Sequence, residues 1–412
     1  MPISGRERVR PLRASVDAML GFAWNADVFV ATDAMAATGL TRSTSIEAMD
    51  ELIDLGLLRE LPNARAAGEY SKGRPSRRFV LRADAAVLVG MDAGRANITT
   101  KIADLRGVEL VRKVTELTPA QDTRDGRRAA VLDAMDSALR ELERGRESVL
   151  AACIGVPAPV NAEGDSPLQR EGFWQLMNPD LRGLLTPWVP IVRIENDASL
   201  AAVAEGSVGM AAGMRDFVVL LAGARLGAGV VTGGHLLRGH HGGAGEMRAF
   251  ANVRGVGSAD GIGLRLSEWA REELAAGAVP PETVTRLSGE AITGRAVLRL
   301  ARSGDVWAQR LVGRAGALLA RITTVFSSLY DPARVIVAGA VAEDLDEVLA
   351  SALTHLSRED ELPPPELVGS RLGADAVVTG AVSGAREAAR QGVLHLGAAE
   401  LGRLLDSGDR AP

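Results

Sequence analysis

Between Thr32 and Leu58 the apolar residues recur at helical spacing, with Ile46, Met49, Leu52 and Ile53 on one face of a predicted helix. Thr41 stands where an N-cap would accept a backbone N–H, and Gly56 where a helix stops. A shorter predicted helix, Ala34 to Ala37, precedes it across a Gly39-Leu40 turn. The pattern then changes to strand (Leu57 to Leu61), polar loop (Pro62 to Ser71) and returning strand (Arg77 to Arg82). Helix, turn, helix, strand, loop and strand predict a winged helix-turn-helix over residues 1–83. From Val87 onward hydrophobic strands alternate with Gly-rich turns and amphipathic helices, an α/β rhythm that fills 84–412. Two lobes are expected there, with a last helix from Gln391 to Leu405 returning to the first lobe or to the winged domain.

Composition narrows the class. The 412 residues are 47% hydrophobic and 24% charged, as in ordinary globular chains, and their number suggests two or three domains. No apolar run approaches the roughly 18 residues of a membrane span, and no small-residue cleavage site follows the arginines of the first thirty residues. A cytoplasmic protein is expected. Cys153 is the single cysteine and lies in an apolar stretch, which excludes a disulfide framework or thiolate cluster and predicts a buried strand residue.

Charge is unevenly placed. The chain carries −5 overall, yet residues 1–83 hold 12 Lys/Arg against 10 Asp/Glu, a net of +2, which leaves −7 for the rest. Residues 65–82 concentrate six basic side chains against Glu69 alone. That footprint suits a polyanion. Arg42, Ser43, Thr44, Ser45 and Glu47 open the second helix and are the candidate major-groove readers. Lys72, Arg74 and Arg77 are the candidate contacts of the wing, whose tip Lys72-Gly73-Arg74-Pro75 is similar to the Arg-Gly-Arg-Pro core of AT-hooks. A slim Gly beside an Arg-Pro fits a narrow minor groove. The bland alternative is a small helical domain for protein contacts.

Three segments of the body are specific: Glu195-Asn196-Asp197-Ala198, Leu226-Gly227-Ala228-Gly229 and Gly245-Glu246. In their order and spacing the chain resembles the ROK family of repressors and sugar kinases, and the resemblance implies an actin/hexokinase-like (ribonuclease H-like) fold over residues 87 to about 400. The N-terminal winged domain matches the repressor branch. The resemblance also implies two phosphate loops, which read Asp92-Ala93-Gly94-Arg95-Ala96 and Gly223-Ala224-Arg225-Leu226-Gly227 here, with arginine and alanine in place of glycine and threonine. The adenosine-side glycine pair reads Ala338-Gly339-Ala340. Phosphate loops need glycine where backbone N–H groups approach the oxygens, so ATP binding and phosphorylation are expected to be lost.

On the sugar side the resemblance implies Asn196, Asp197 and Glu246 as sugar-binding residues, with Asp197 matching the family's general base. The family's next Gly and His are Arg248 and Ala249, and the stretch 252–267 holds no cysteine or histidine for its structural zinc. His235, His240 and His241 read as polar loop residues rather than ligands. The expected protein is a DNA-binding regulator, most simply a repressor, with a double-stranded operator and a sugar or sugar derivative as effector. No cofactor or metal is expected, and a homo-oligomer (dimer or tetramer) is. Two alternatives stay open: a sugar kinase fused to a DNA-binding domain, and a regulator controlled by a protein partner without a small ligand.

Overall fold

The computed structural model describes residues 14–62, 77–287, 291–339, 344–356, 363–397, 401–402 and 404–405. Its first unit runs α1 (Ala14–Ala23), β1 (Phe29–Val30), α2 (Ala31–Thr38), α3 (Arg42–Asp54), β2 (Leu58–Leu61) and β3 (Arg78–Leu81). Thr41 caps α3 by accepting the Thr44 N–H at 3.4 Å, and Gly39 ends α2 at φ 70°, where a side chain would be strained. The strands form an antiparallel sheet in the order β1-β3-β2, pairing Phe29 with Phe79 and Leu58 with Leu81. Met19, Leu20, Trp24, Met49, Leu52 and Phe79 fill the core beneath it.

Helix α3 is rotated relative to the sequence expectation. Its buried residues are Ser45, Ala48, Met49 and Leu52, spaced i, i+3, i+4, i+7, whereas Ile46 and Ile53 are only partly covered. Helix α1 and strand β1 had no counterpart in the hydrophobic pattern.

The body begins with β4 (Val87–Ala93), β5 (Asn97–Ala103), β6 (Glu109–Glu116), α4 (Arg124–Glu141), β7 (Val149–Val156), α5 (Phe173–Met177), α6 (Leu181–Leu185), β8 (Ile191–Asn196) and α7 (Asp197–Ser207). It continues with β9 (Phe217–Ala222), β10 (Leu226–Thr232), β11 (His235–Leu237), α8 (Ile262–Ala275), α9 (Pro281–Leu287), α10 (Gly294–Arg302), α11 (Val306–Tyr330), β12 (Arg334–Ala338), α12 (Asp346–His355), β13 (Glu366–Gly369) and α13 (Ala376–Gly392). The two sheets are ordered β6-β5-β4-β7-β8 and β11-β10-β9-β12-β13. In each, three antiparallel strands joined in sequence are followed by two parallel ones. The lobes thus repeat one topology, which the sequence does not display as a repeat. Every residue of β7 is buried, as a central parallel strand covered on both faces requires, and Cys153 is among them.

Helices α7 and α13 pack against each other between the sheets, α13 on β4 and β7 and α7 on β9 and β10. Gly380 permits this approach, because a Cβ there would overlap the Leu200 backbone. The expected helix from Gln391 to Leu405 is corrected. The preceding helix, α13, runs Ala376–Gly392 and passes into a 3-10 turn at Val393–His395, and among the described residues of the expected range beyond it only 401–402 and 404–405 are helical. Beyond it, Leu401, Leu404 and Leu405 join the core cluster that spans the first unit and the first lobe.

Candidate functional site

Strand β8 ends in Asn196, and α7 begins at Asp197. The Asn196 side chain caps the helix, its Oδ1 accepting the Ser199 N–H at 3.0 Å. Its Nδ2 donates to the Ala158 carbonyl and to Asp197 Oδ1, each at 3.2 Å. Asn196 is therefore largely committed to holding the junction and Asp197. Asp197 Oδ1 also accepts the Ala198 N–H at 2.7 Å.

Three carboxyl groups converge here, two from the ends of β4 and β8 and one from the loop after β11. Asp92, near the end of β4, is pushed up to about 7 by burial and by the charge of Asp375. Asp197 is pushed up to about 8, first by burial and then by the charges of Asp92 and Glu246, against the opposing Ala198 hydrogen bond. Burial also raises Glu246, while Arg225 and Arg248 lower it. Glu246 sits opposite Gly227 in a short antiparallel bridge, which fixes it to the turn that resembles the second phosphate loop. The loop leading to it rests on the first lobe: Gly242, at φ 72°, lies so close to Val160 that a Cβ would overlap its backbone.

Basic and aromatic side chains rim this cleft. The Arg248 guanidinium stands 5.8 Å from the Trp174 ring centre, and that of Arg95 stands 5.9 Å from Phe173. Arg95 also reaches Asp122 at 3.5 Å. Both arginines of the altered phosphate loops, Arg95 and Arg225, are exposed. Beneath the first loop lies buried Arg127, whose Nη2 donates to the carbonyls of Ala93 and Gly94 at 2.9 and 2.8 Å. Burial lowers the Arg127 guanidinium from its usual range. Arg127, Phe173 and Trp174 carried no signal in the sequence, because each needs α4 or α5 to be placed against the β4–β5 turn. Where the family zinc is implied, Arg265 binds the Asp260 and Ser258 carbonyls at 2.9 and 2.8 Å. No metal-like cluster of His, Cys, Asp and Glu occurs among the described residues.

The candidate nucleic-acid residues divide. Arg42, Ser43 and Glu47 are exposed on α3, and Thr44 is half-buried with its hydroxyl 2.9 Å from that of Thr41. Ser45 is a correction: it is fully buried on the inner face of α3 and presents nothing outward. Arg77 is held within the chain by Asp50 at 3.0 Å and Glu60 at 2.8 Å, over the Phe79 ring. Lys72 and Arg74 lie outside the described residues.

The family model described as "ROK family" matches residues 88–388. The chain is 28% identical over 332 residues to a glucokinase of Streptomyces coelicolor, a match covering 73% of this chain and 97% of that protein. It is 28% identical over 250 residues, 55% of its length, to the bifunctional enzyme NanE/NanK of Brucella suis, of which it spans 45%. To the DNA-binding transcriptional repressor Mlc of Escherichia coli it is 22% identical over 335 residues, 76% of this chain and 77% of the repressor. Among solved structures, a ROK family transcriptional regulator described as a homologue of Mlc superposes with a TM-score of 0.71 over 95% of this chain and 98% of that one, at 21% identity. The body therefore has the ROK/hexokinase-like α/β fold with mixed sheets.

Proposed function

The chain belongs to the ROK family, and on that premise we propose that it is a sequence-specific DNA-binding transcriptional repressor whose kinase-like body senses a sugar or sugar derivative without phosphorylating it. The observation that carries this reading is the unit at 14–81. A Gly39 turn joins α2 to a capped α3, an antiparallel hairpin follows, and Arg42 and Ser43 stand exposed at the start of α3. These features support reading the unit as a winged helix-turn-helix whose α3 enters a major groove. Relatives that include a repressor, matched over 76% of this chain and 77% of its own, support it.

In the body, Asp197 and Glu246 are the sugar-contacting groups, Asn196 holds Asp197, and Arg95 and Arg225 take the places where phosphate loops are otherwise bare backbone. Ligand entry changes the closure of the two lobes around α7 and α13. The far end of α13 reaches the reader directly, since Arg386 donates to Asn25 Oδ1 at 2.6 Å. A homodimer would pair two readers and favour a palindromic operator with half-sites about 34–36 Å apart or multiples of that spacing.

Selection of bound sequences from a random DNA pool, repeated with a panel of sugars, tests the whole reading. A single enriched motif whose retention a sugar alters, and which Asp197→Ala renders insensitive, is the expected result. Absence of any enriched motif would overturn DNA recognition. The kinase reading is favoured by the presence of both Asp92 and Asp197 at the cleft and by the glucokinase relative. ATP-dependent phosphate transfer to hexoses by the full chain would establish it in place of the effector role.

A further inference from the structure

A second polar recess lies outside the cleft, where β8, the edge strand of the first sheet, meets the chain just after β11, the edge strand of the second. It has a volume of about 80 Å³ and is walled by the 161–164 loop, Arg182, residues 192–195 and Arg238. Three arginines thus face one small space. Glu195, 4% exposed, would by itself repel an anion. Its charge is already met from the other lobe: Arg238 Nε and Nη2 both reach Glu195 Oε2 at 2.8 Å. Glu163, exposed on the 161–164 loop, lines the recess as well, so three arginines meet two carboxylates and one positive charge is left in excess. Arg182 donates to the backbone carbonyl of Glu163 and, among the described residues, leaves most of its fork unused. The Arg193 guanidinium makes no hydrogen bond among the described residues. Its one carboxylate neighbour, Glu195 Oε2, is 3.9 Å away, well beyond the about 2.7–2.9 Å of a charge-assisted hydrogen bond.

A half-covered guanidinium with unsatisfied donors on the wall of a recess is a receptor for an oxyanion, whose paired oxygens match the planar fork. We infer that this recess binds a small oxyanion of the phosphate class between Arg193 and Arg182, at a site separate from the sugar cleft. Because Arg238 belongs to the second lobe and the other walls to the first, the bound anion consolidates the junction of the lobes. Glu195 and Asn196 are consecutive on β8, so the recess lies one residue from the cleft. The site stands whether or not the cleft takes a sugar.

Isothermal titration of the full chain with inorganic phosphate at low ionic strength tests this, with glucose 6-phosphate as a second arm to separate a free ion from a phosphate ester. Saturable binding is expected, weakened at least tenfold in Arg193→Gln and in Arg182→Gln and unchanged in Asp197→Asn. Tighter binding of the ester than of phosphate, still lost in Arg193→Gln, would identify the ester as the ligand of the same site. If Arg193→Gln does not fold, shown by a melting midpoint well below wild type without phosphate, Arg182→Gln alone decides. No saturable binding overturns the inference. So does weakening by Asp197→Asn with both arginine variants silent, which would place the anion in the cleft.

Discussion

Replacing Asp197 with asparagine should stabilise the protein at alkaline pH and do almost nothing in acid. The carboxyl sits among the charges of Asp92 and Glu246 in a desolvated position, and is pushed up from 3.8 to about 8. A carboxyl raised in this way binds its proton more tightly folded than unfolded, so its contribution to stability falls as pH rises from about 4 towards 8. Asparagine cannot ionise, yet its Oδ1 can keep both hydrogen bonds that Asp197 Oδ1 accepts, from Ala198 N and from Asn196 Nδ2. At about 1.4 kcal/mol per unit the gain at pH 8 is capped near 6 kcal/mol. Asp92 can take up a proton when Asp197 ionises, which relieves part of the repulsion, and cleft water screens both, so about 2–3 kcal/mol is expected. For a body of this size that is a rise of roughly 5 °C in melting midpoint. Thermal melts followed by circular dichroism at pH 5 and pH 8 measure it. A gain of equal size at both pH values would refute the electrostatic account, and so would a loss at pH 8.

Three other outcomes follow from the geometry. Arg42→Ala should weaken operator binding in a mobility-shift assay by about tenfold, within the about 1–3 kcal/mol of a good base contact, while Ser45→Ala should leave it unchanged because that hydroxyl is buried. Equal weakening in the two variants would mean that α3 meets DNA through a different face. Arg127→Met should lower stability by about 1–3 kcal/mol in urea unfolding, since the carbonyls of Ala93 and Gly94 lose their donor, and a rise would show that the buried charge costs more than its bonds return. Arg386→Ala should leave operator affinity without sugar within about threefold and shrink the sugar-dependent change, read in the same mobility shifts; an undiminished response would remove α13 from the route between cleft and reader.

What the chain disclosed about itself depended on range. Caps and turns act over a few residues, and Thr41 and Gly39 could be placed from sequence for that reason. The inner face of α3 lies one position from the expected one, because Ser45 is small enough to be buried despite its hydroxyl, which has no hydrogen-bond partner among the described residues. Hydrophobicity ranks Ile46 above Ser45, whereas packing favours the smaller side chain where helices approach closely. Asp92, Asp197 and Glu246 were named from motifs, but their mutual effect arises only when β4, β8 and the 239–246 loop converge. The pairing of Glu195 with Arg238 crosses two lobes and 43 residues, and no local pattern encodes it.

On the proposed effector reading, the duplicated topology offers a cleft signal a path to the first unit. Each lobe contributes one helix to the packed pair α7 and α13 only in part: both are fixed at their starts to the first sheet, and α7 also lies on β9 and β10 of the second. A change in the angle between sheets must therefore be absorbed where α7 slides on α13, a contact tightened by Gly380 and Leu200. Helix α13 spans 17 residues, about 25 Å of rigid rod. Asp375, immediately before it, meets Arg112 and Lys101 at 2.7 and 3.0 Å and acts on Asp92 electrostatically. Arg386, near its other end, holds Asn25, and Arg106 from the β5–β6 turn donates to the Ala26 carbonyl at 2.5 Å beside it. Leu405 closes the same junction against Gly56, two residues past the end of α3. A rod anchored by ion pairs at one end and by hydrogen bonds and apolar packing at the first unit moves as one body, so on the proposed reading a ligand is expected to alter the orientation of α3 rather than its folding.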